Sequence, residues 1–401
     1  MKKAESQLDI NLLGADEQSR RLARVYAAMR SGGMEAALVR DLANIYYLTG
    51  RVFRGFIYIS EALAAPLYFV RQPNHLCGEG LHMVRKPEEI APLLAAAGID
   101  AALPVALELD SVSYSESLRL VRAFGMEAPV ANLSPAMRAA RAVKTPREQE
   151  LIRESGVRHT LAYSRIPHLY QEGMTDIEFQ IEIERVSRLE GCLGIFRVGG
   201  DDMELFMGNV LTGHNADTPS PYDFAMGGQG LDPSIPVGAD GTLIKPGIPV
   251  MVDVNGDYTG YMTDMTRCFV AGEPAEEAVR ANELSVAICG ELADMMIPGT
   301  PARDLYARAA LMAQQAGMAD NFMGHRSHAG FVGHGVGIQV NELPVIAPRS
   351  RDIIEAGNVI ALEPKFVIPG LGAVGIENTY IVTEQGGVSV TTAPQGIIKL
   401  D

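Results

Sequence analysis

Residues 252–267 read VDVNGDYTGYMTDMTR. Two apolar runs, each interrupted by an aspartate, flank a glycine-containing turn at Tyr258-Thr259-Gly260-Tyr261. That pattern folds as a β-hairpin. A hairpin here brings Asp253 and Asp264 together, although they are eleven residues apart in sequence. An aspartate inside an apolar strand such as VMVDV is costly to bury unpaired. A turn or salt bridge is one outlet and a bound metal is another, with Arg267 as the counter-charge close in sequence.

Further along the chain, other strand-like runs repeat the anomaly. His334 lies in GHGVG, where Gly333, Gly335 and Gly337 allow close backbone approach. Glu363 interrupts VIALEP 29 residues later, and Glu377 sits in VGIENT 14 residues after that. Taken alone, His334 reads as a hydrogen-bonded core histidine, and each carboxylate has a salt-bridge explanation. Taken together, Asp253, Asp264, Glu363 and Glu377 place acids where apolar residues belong, and buried carboxylates are paired or bind metal. Four carboxylates and one imidazole carry about −4, which two divalent cations would neutralise, and oxygen-rich ligation favours hard or borderline ions such as manganese. Two such ions can hold a hydroxide for attack on a carbonyl. The residues therefore point to a dinuclear metallohydrolase.

The remainder of the chain frames this centre. Residues 17–33 are patterned as an amphipathic helix, with Leu22, Val25, Tyr26 and Met29 on one face. Short strands are expected at Ala36–Val39, Phe56–Ile59 and Pro66–Val70, with helices near 87–97 and 111–123. This is an α/β domain spanning 1–145. The segment 132–145 has little apolar periodicity and is placed at the boundary. A second, α+β domain spans 146–401. It opens with Pro146 in a first helical turn, continues with a capping box at Thr175–Glu178, and carries two later helices around 284–295 and 300–317. Strands are expected at Val250–Val254, Met265–Val270, Val359–Glu363 and Ile376–Thr383, whereas 208–245 reads mostly as loop. Gly370–Gly375 matches GxGxxG, but a β-like run follows it instead of a helix, so a dinucleotide site is excluded.

Composition narrows the function. The chain has 401 residues, 34 basic and 49 acidic, for a net charge of −15, with 47% hydrophobic residues. That balance argues against nucleic acid and anionic membrane as partners. The apolar stretch Ile90–Leu107 contains Pro92, Asp100 and Pro104 and cannot be a membrane helix. Four cysteines without a CxxC suit a reducing compartment. The first residues, MKKAESQLDINLLG, carry no apolar stretch, so a cytoplasmic protein without a signal peptide is expected.

In this order and spacing, VDVNGDYTGYMTDMTR, GHGVGIQVNELP, VIALEP and VGIENTYIVT resemble the pita-bread metallopeptidases, a family that includes methionine aminopeptidase, aminopeptidase P, prolidase and creatinase. The N-terminal domain and RAVKTPREQELIRESG at the boundary are similar to the two-domain branch of that family. The resemblance implies a C-terminal pita-bread fold behind an N-terminal creatinase-like domain. It implies two divalent ions per chain, manganese by preference, with cobalt, zinc or iron as alternatives. Asp253 would bind one ion, Asp264 and Glu377 would bridge both, and His334 and Glu363 would complete the second. Glu363 would also be the catalytic acid/base. Activity of the Xaa-Pro dipeptidase or aminopeptidase type and a homodimer are implied as well.

The chain departs from the family around the substrate. Asn341 stands where the peptidases carry a histidine seven residues after the ligand histidine. The Pro236 region lacks another histidine, and Gly375 replaces a frequent arginine. These departures open a second reading, a non-peptidase hydrolase or lyase acting on a small amide-like molecule. Asn341 and His214 are the candidates for substrate contact. Tyr261 and Arg267, flanking Asp264, are candidates for orienting the ligands.

Overall fold

The computed structural model describes residues 8–100, 104–129, 131–200, 203–222 and 224–401. The chain divides into two compact units, Met1–Arg141 and Ala142–Asp401. Among the described residues of the first unit, a five-stranded sheet runs in the order Leu81–Met83, Leu67–Gln72, Arg54–Ser60, Ala36–Val39, Val105–Leu107. Its two outer pairings are parallel and its two inner ones antiparallel. Phe56, Tyr58, Phe69, Leu94 and Leu120 fill the core between the sheet and the helices Ile90–Ala96 and Tyr114–Ala123. The expected helix at 17–33 spans Ala15–Ser31 and buries Leu22, Val25 and Met29. Two helices depart from the sequence reading, Leu42–Thr49 and one at the boundary. Residues 134–142, with no long apolar side chain beyond Met137, form the helix Ser134–Ala142. Alanine is the best helix former, and Ala136 and Ala140 bury a face too small to register as apolar periodicity.

The second unit is built from sheets and paired helices. Thr145 and Glu148 form a capping box that starts the helix Pro146–Arg165. Thr175 and Glu178 do the same for Asp176–Leu189. Each box satisfies two backbone N–H groups that the first helical turn leaves unpaired. This helix pair packs on a four-stranded sheet ordered Ile398–Lys399, Met262–Val270, Val250–Asp257, Gly208–Thr212, through Tyr163, Phe179, Ile183, Val252 and Phe269. The helices Glu276–Met295 and Ala302–Gln315 cover the opposite half, burying Ile288, Leu292, Leu305 and Ala309. There a five-stranded sheet runs Glu342–Ile346, Gly333–Gly335, Val359–Leu362, Asn378–Thr383, Gly386–Ser389. A separate hairpin pairs Lys365–Ile368 with Gly372–Gly375, so the GxGxxG run is a β-turn and strand. The segment 208–245 is irregular except for the strand Gly208–Thr212 and a 3₁₀ turn at Gly213–Asp217. No helix among the described residues is long and apolar enough to cross a membrane.

His159 ties the first helix of this unit to the hairpin. It is buried, its Nδ1 lies 3.0 Å from Thr263 Oγ1, and its Nε2 has no hydrogen-bond partner among the described residues. Burial holds its pKa down at about 3, whereas the unfolded chain takes up the proton near 6.5. The folded form therefore stays neutral while the unfolded form charges. The contribution of this histidine is complete above about pH 6.5 and is lost as pH falls from there toward about 3, by up to about 1.4 kcal/mol per pH unit. Urea unfolding at pH 7 and pH 5 should show a shallower loss of stability in His159→Asn than in the parent chain. Equal losses would show that this ring is not the acid-sensitive group.

Candidate functional site

Strand register assembles the acidic residues on one wall. Across the 252–267 hairpin, Asp253 pairs with Thr266 and Asn255 with Asp264. Side chains alternate along a strand, so these four share a face. In the five-stranded sheet His334 pairs with Ala361, and Leu362 with Asn378. Glu363 and Glu377 follow one step beyond that last pair. Glu377 N donates to Thr266 O at 3.1 Å and Glu363 N to Val332 O at 3.0 Å, which joins this end of the sheet to the hairpin. The Gly residues flanking His334 have backbone on both sides. A Cβ on Gly335 would lie 2.1 Å from Leu343 O, and one on Gly333 2.4 Å from Ala361 O.

All five residues line one cavity of about 390 Å³, walled by Phe224, Phe331, Val340 and Val345. Two groups of ligand atoms within 4.8 Å of one another occur there among the described residues: Asp264–His334–Glu377 and Asp253–Glu363–Glu377. The first fits a divalent ion. His334 Nδ1 lies 3.1 Å from Gly335 O, which directs Nε2 toward the carboxylates. Nε2 is 3.9 Å from Asp264 Oδ2 and 4.0 Å from Glu377 Oε1. Two ligand atoms each about 2.1 Å from a tetrahedral ion stand about 3.4 Å apart, so a small inward movement would close these groups on one. Glu377 Oε1 is buried and has no hydrogen-bond partner among the described residues. An orphaned carboxylate oxygen at this depth calls for a cation.

The second group already faces a cation. Lys365 Nζ lies 2.7 Å from Asp253 Oδ2, 2.7 Å from Glu363 Oε2 and 3.5 Å from Glu377 Oε2, and the side chain is 0% exposed. Burial alone would lower its pKa, but the three carboxylates outweigh burial and hold the ammonium well above its ordinary value. Lys365 is the functional residue that sequence reasoning missed. Its signal is visible in hindsight: a lysine opens the apolar run KFVI directly after LEP, and lysine is almost never fully buried without a partner. The strand opposite packs directly on its backbone. Gly375 is its cross-strand partner, and a Cβ there would sit 2.6 Å from Pro364 O and 2.9 Å from Lys365 Cα.

The charges act on one another strongly. Burial, reinforced by Asp253, raises the Asp264 carboxyl to about 7. Burial, with Asp264 next, pushes Glu377 well above the carboxylate range. Burial would raise Glu363 too, but Lys365 and His334 overcome it and keep Glu363 ionised. For His334, burial lowers the pKa, and Glu363 and Asp264 reverse this to about 9. Neighbours hold these groups in place. Thr266 Oγ1 donates to Glu377 Oε2 at 2.8 Å, and hydrogen bonding assigns the Asn255 amide nitrogen to the side facing Asp264, 3.1 Å away.

The other candidates fall in distinct places. Arg267 is fully buried but meets no carboxylate of the site. It donates to the backbone carbonyls of Glu377 (2.8 Å), Thr266, Ala393 and Pro394 and to Asn378 Oδ1, which positions the Glu377 backbone. The expected counter-charge role belongs to Lys365 instead. Tyr261 donates to Glu148 Oε1 at 2.9 Å and so braces the start of the Pro146–Arg165 helix. Asn341 lines the cavity, with both ends of its amide on one residue: Oδ1 accepts from Gly199 N at 2.6 Å and Nδ2 donates to Gly199 O at 2.7 Å. His214 is exposed, its Nε2 is 3.5 Å from Asp240 Oδ2, and it is not among the cavity-lining residues. The 3₁₀ turn after Thr212 carries it outward. Two further histidines near His334 in sequence are engaged outside the cavity, His325 with Asp217 and His328 Nδ1 with Phe322 O.

Comparison with known proteins agrees with this architecture. Residues 21–143 match the creatinase/prolidase N-terminal domain and residues 150–384 match metallopeptidase family M24. The chain is 25% identical over 397 residues to a protein of Mycobacterium tuberculosis named "Probable dipeptidase PepE", covering 96% of this chain and 97% of that one. It is 24% identical to the Xaa-Pro dipeptidase of Pyrococcus furiosus, covering 94% and 99%. A solved Xaa-Pro dipeptidase from Bacillus anthracis superposes with a TM-score of 0.77 at 22% identity, covering 96% and 100%. A two-unit fold, a buried histidine–carboxylate cluster and a match across more than half of the sequence lead to one conclusion: the chain belongs to metallopeptidase family M24.

Proposed function

We propose that the chain is a metal-dependent dipeptidase that cleaves small peptides of the Xaa-Pro type. The observation that carries this reading is the orphaned Glu377 Oε1 facing His334 and Asp264 on the wall of a small cavity. A volume of about 390 Å³ suits a dipeptide-sized ligand. The residues proposed to hold metal are Asp264, His334, Glu363 and Glu377, with Asp253 beside them on Lys365, and manganese is preferred because oxygen donors predominate. When bound, a divalent ion supplies Lewis-acid polarisation of the scissile carbonyl and makes water a better nucleophile. The chain's own groups do the rest. Glu363, held ionised, takes a proton from the attacking water and returns it to the leaving amine. Phe331, Val340 and Val345 exclude bulk water from the reacting carbonyl. The four free cysteines support a cytoplasmic setting, and the family resemblance supports a homodimer.

A second reading is hydrolysis of a small non-peptide amide. Asn341 supports it, because its amide is committed to Gly199 where the peptidase pattern has a histidine able to transfer protons.

Chelator-stripped and manganese-reloaded protein should be assayed on Xaa-Pro dipeptides, longer Xaa-Pro peptides and small amides. Turnover of the dipeptides that appears only on reloading is expected. Turnover of amides alone would favour the second reading, and none in any metal state would overturn both. Glu363→Gln should lower kcat by about 10²–10⁴-fold with a smaller change in KM. An unchanged kcat would remove Glu363 from proton transfer. Metal must also displace the proton that His334 holds below about pH 9 and the one that Asp264 holds below about pH 7. Manganese affinity, measured by titration calorimetry, should therefore weaken as pH falls from 8 to 6. A flat profile would show that neither group holds a proton that the metal must displace.

A further inference from the structure

The sequence makes provision for two ions, yet one of the two cation places is already filled by the protein. Lys365 Nζ touches Asp253 Oδ2 and Glu363 Oε2 at 2.7 Å and reaches Glu377 Oε2 at 3.5 Å, the same three residues that form the second ligand group. We propose that the Lys365 ammonium permanently replaces one divalent ion, leaving a one-metal centre on Asp264, His334, Glu377 and the free oxygen of Glu363. This inference rests on the reading of the site as metal-dependent.

Three observations support it. The first is that the carboxylates divide their oxygens. Glu377 turns Oε2 to Lys365 and Thr266 and leaves Oε1 for the His334 side. Glu363 likewise gives Oε2 to Lys365, while its Oε1 lies 3.3 Å from His334 Nε2. Each therefore links the ammonium to the open place, as a carboxylate would link two metals. The second is that Lys365 has nowhere else to go. Its backbone is paired with Gly375, its carbonyl accepts from Met323 N at 2.8 Å, and its side chain has no exposed surface. A divalent ion entering among Asp253, Glu363 and Glu377 would meet a fixed like charge at contact distance. The third is that Asp253 then has a role without metal. It is the ion-pair partner that keeps the buried ammonium satisfied.

The test counts metal. Full-length protein is stripped with chelator, loaded with excess Mn²⁺ and freed of unbound metal. Manganese per chain is then measured by elemental analysis and its spin state by electron paramagnetic resonance. The expected result is about one ion per chain with the spectrum of an isolated ion, rising to about two, magnetically coupled, in Lys365→Met or Lys365→Gly. Asp264→Asn should abolish binding, whereas Asp253→Asn should leave the count near one. Two coupled ions in the unmodified chain would overturn this inference and leave the metallohydrolase intact. Loss of the ion in Asp253→Asn would also overturn it, and no ion in the unmodified chain would overturn both readings. The count on the unmodified chain requires no variant to fold.

Discussion

Four carboxylates cannot all stay ionised in one buried cavity unless positive charge is supplied there. This constraint shapes the second unit from its strand register to its hydrogen bonds. Asp253 and Asp264 come from one hairpin, Glu363 and Glu377 from a different sheet, and all four face the same small volume. Lys365, His334 and the open place beside Glu377 Oε1 are where the compensation enters. Much of what surrounds the cavity serves to hold these groups at fixed separations. Arg267 grips the Glu377 carbonyl, Thr266 grips one of its oxygens, and paired helices brace each sheet from outside.

Preorganisation of this kind is what hydrolysis of an unactivated amide requires. Charges that develop in the reaction meet partners whose positions were settled when the chain folded, so little reorganisation is needed. The walls matter equally. Phe224, Phe331, Val340 and Val345 present apolar surface next to the acids, which strengthens each electrostatic contact by excluding water. The Asn341–Gly199 pairing turns a position that the peptidase pattern uses for chemistry into one that anchors a loop at the cavity.

The features legible in the sequence were those with a repeating physical signature. Alternation and a turn marked the 252–267 hairpin, and two capping boxes marked helix starts. The acids at 253, 264, 363 and 377 stood out because they broke apolar runs. What escaped had no such contrast. The helix at 134–142 buries mainly alanines, and the short strand Gly208–Thr212 holds its place through neighbours distant in sequence. Lys365 escaped for a different reason. Distance along the chain made Arg267 look like the counter-charge, while the fold carried the Arg267 guanidinium to backbone carbonyls and placed Lys365 among the acids.

The pairing of Lys365 with Gly375 has a consequence for how this site can change over time. The backbone of one strand limits what the other accepts. Whatever side chain residue 365 carries, a methyl group on residue 375 would lie 2.9 Å from its Cα and 2.6 Å from Pro364 O. A larger side chain at 375 would have to be accommodated by shifting that backbone. Loss of the lysine first would strand three buried carboxylates without their partner. Residue 375 is held to glycine by the neighbouring backbone and residue 365 to a cation by the acids around it, so a lineage can vary neither position freely.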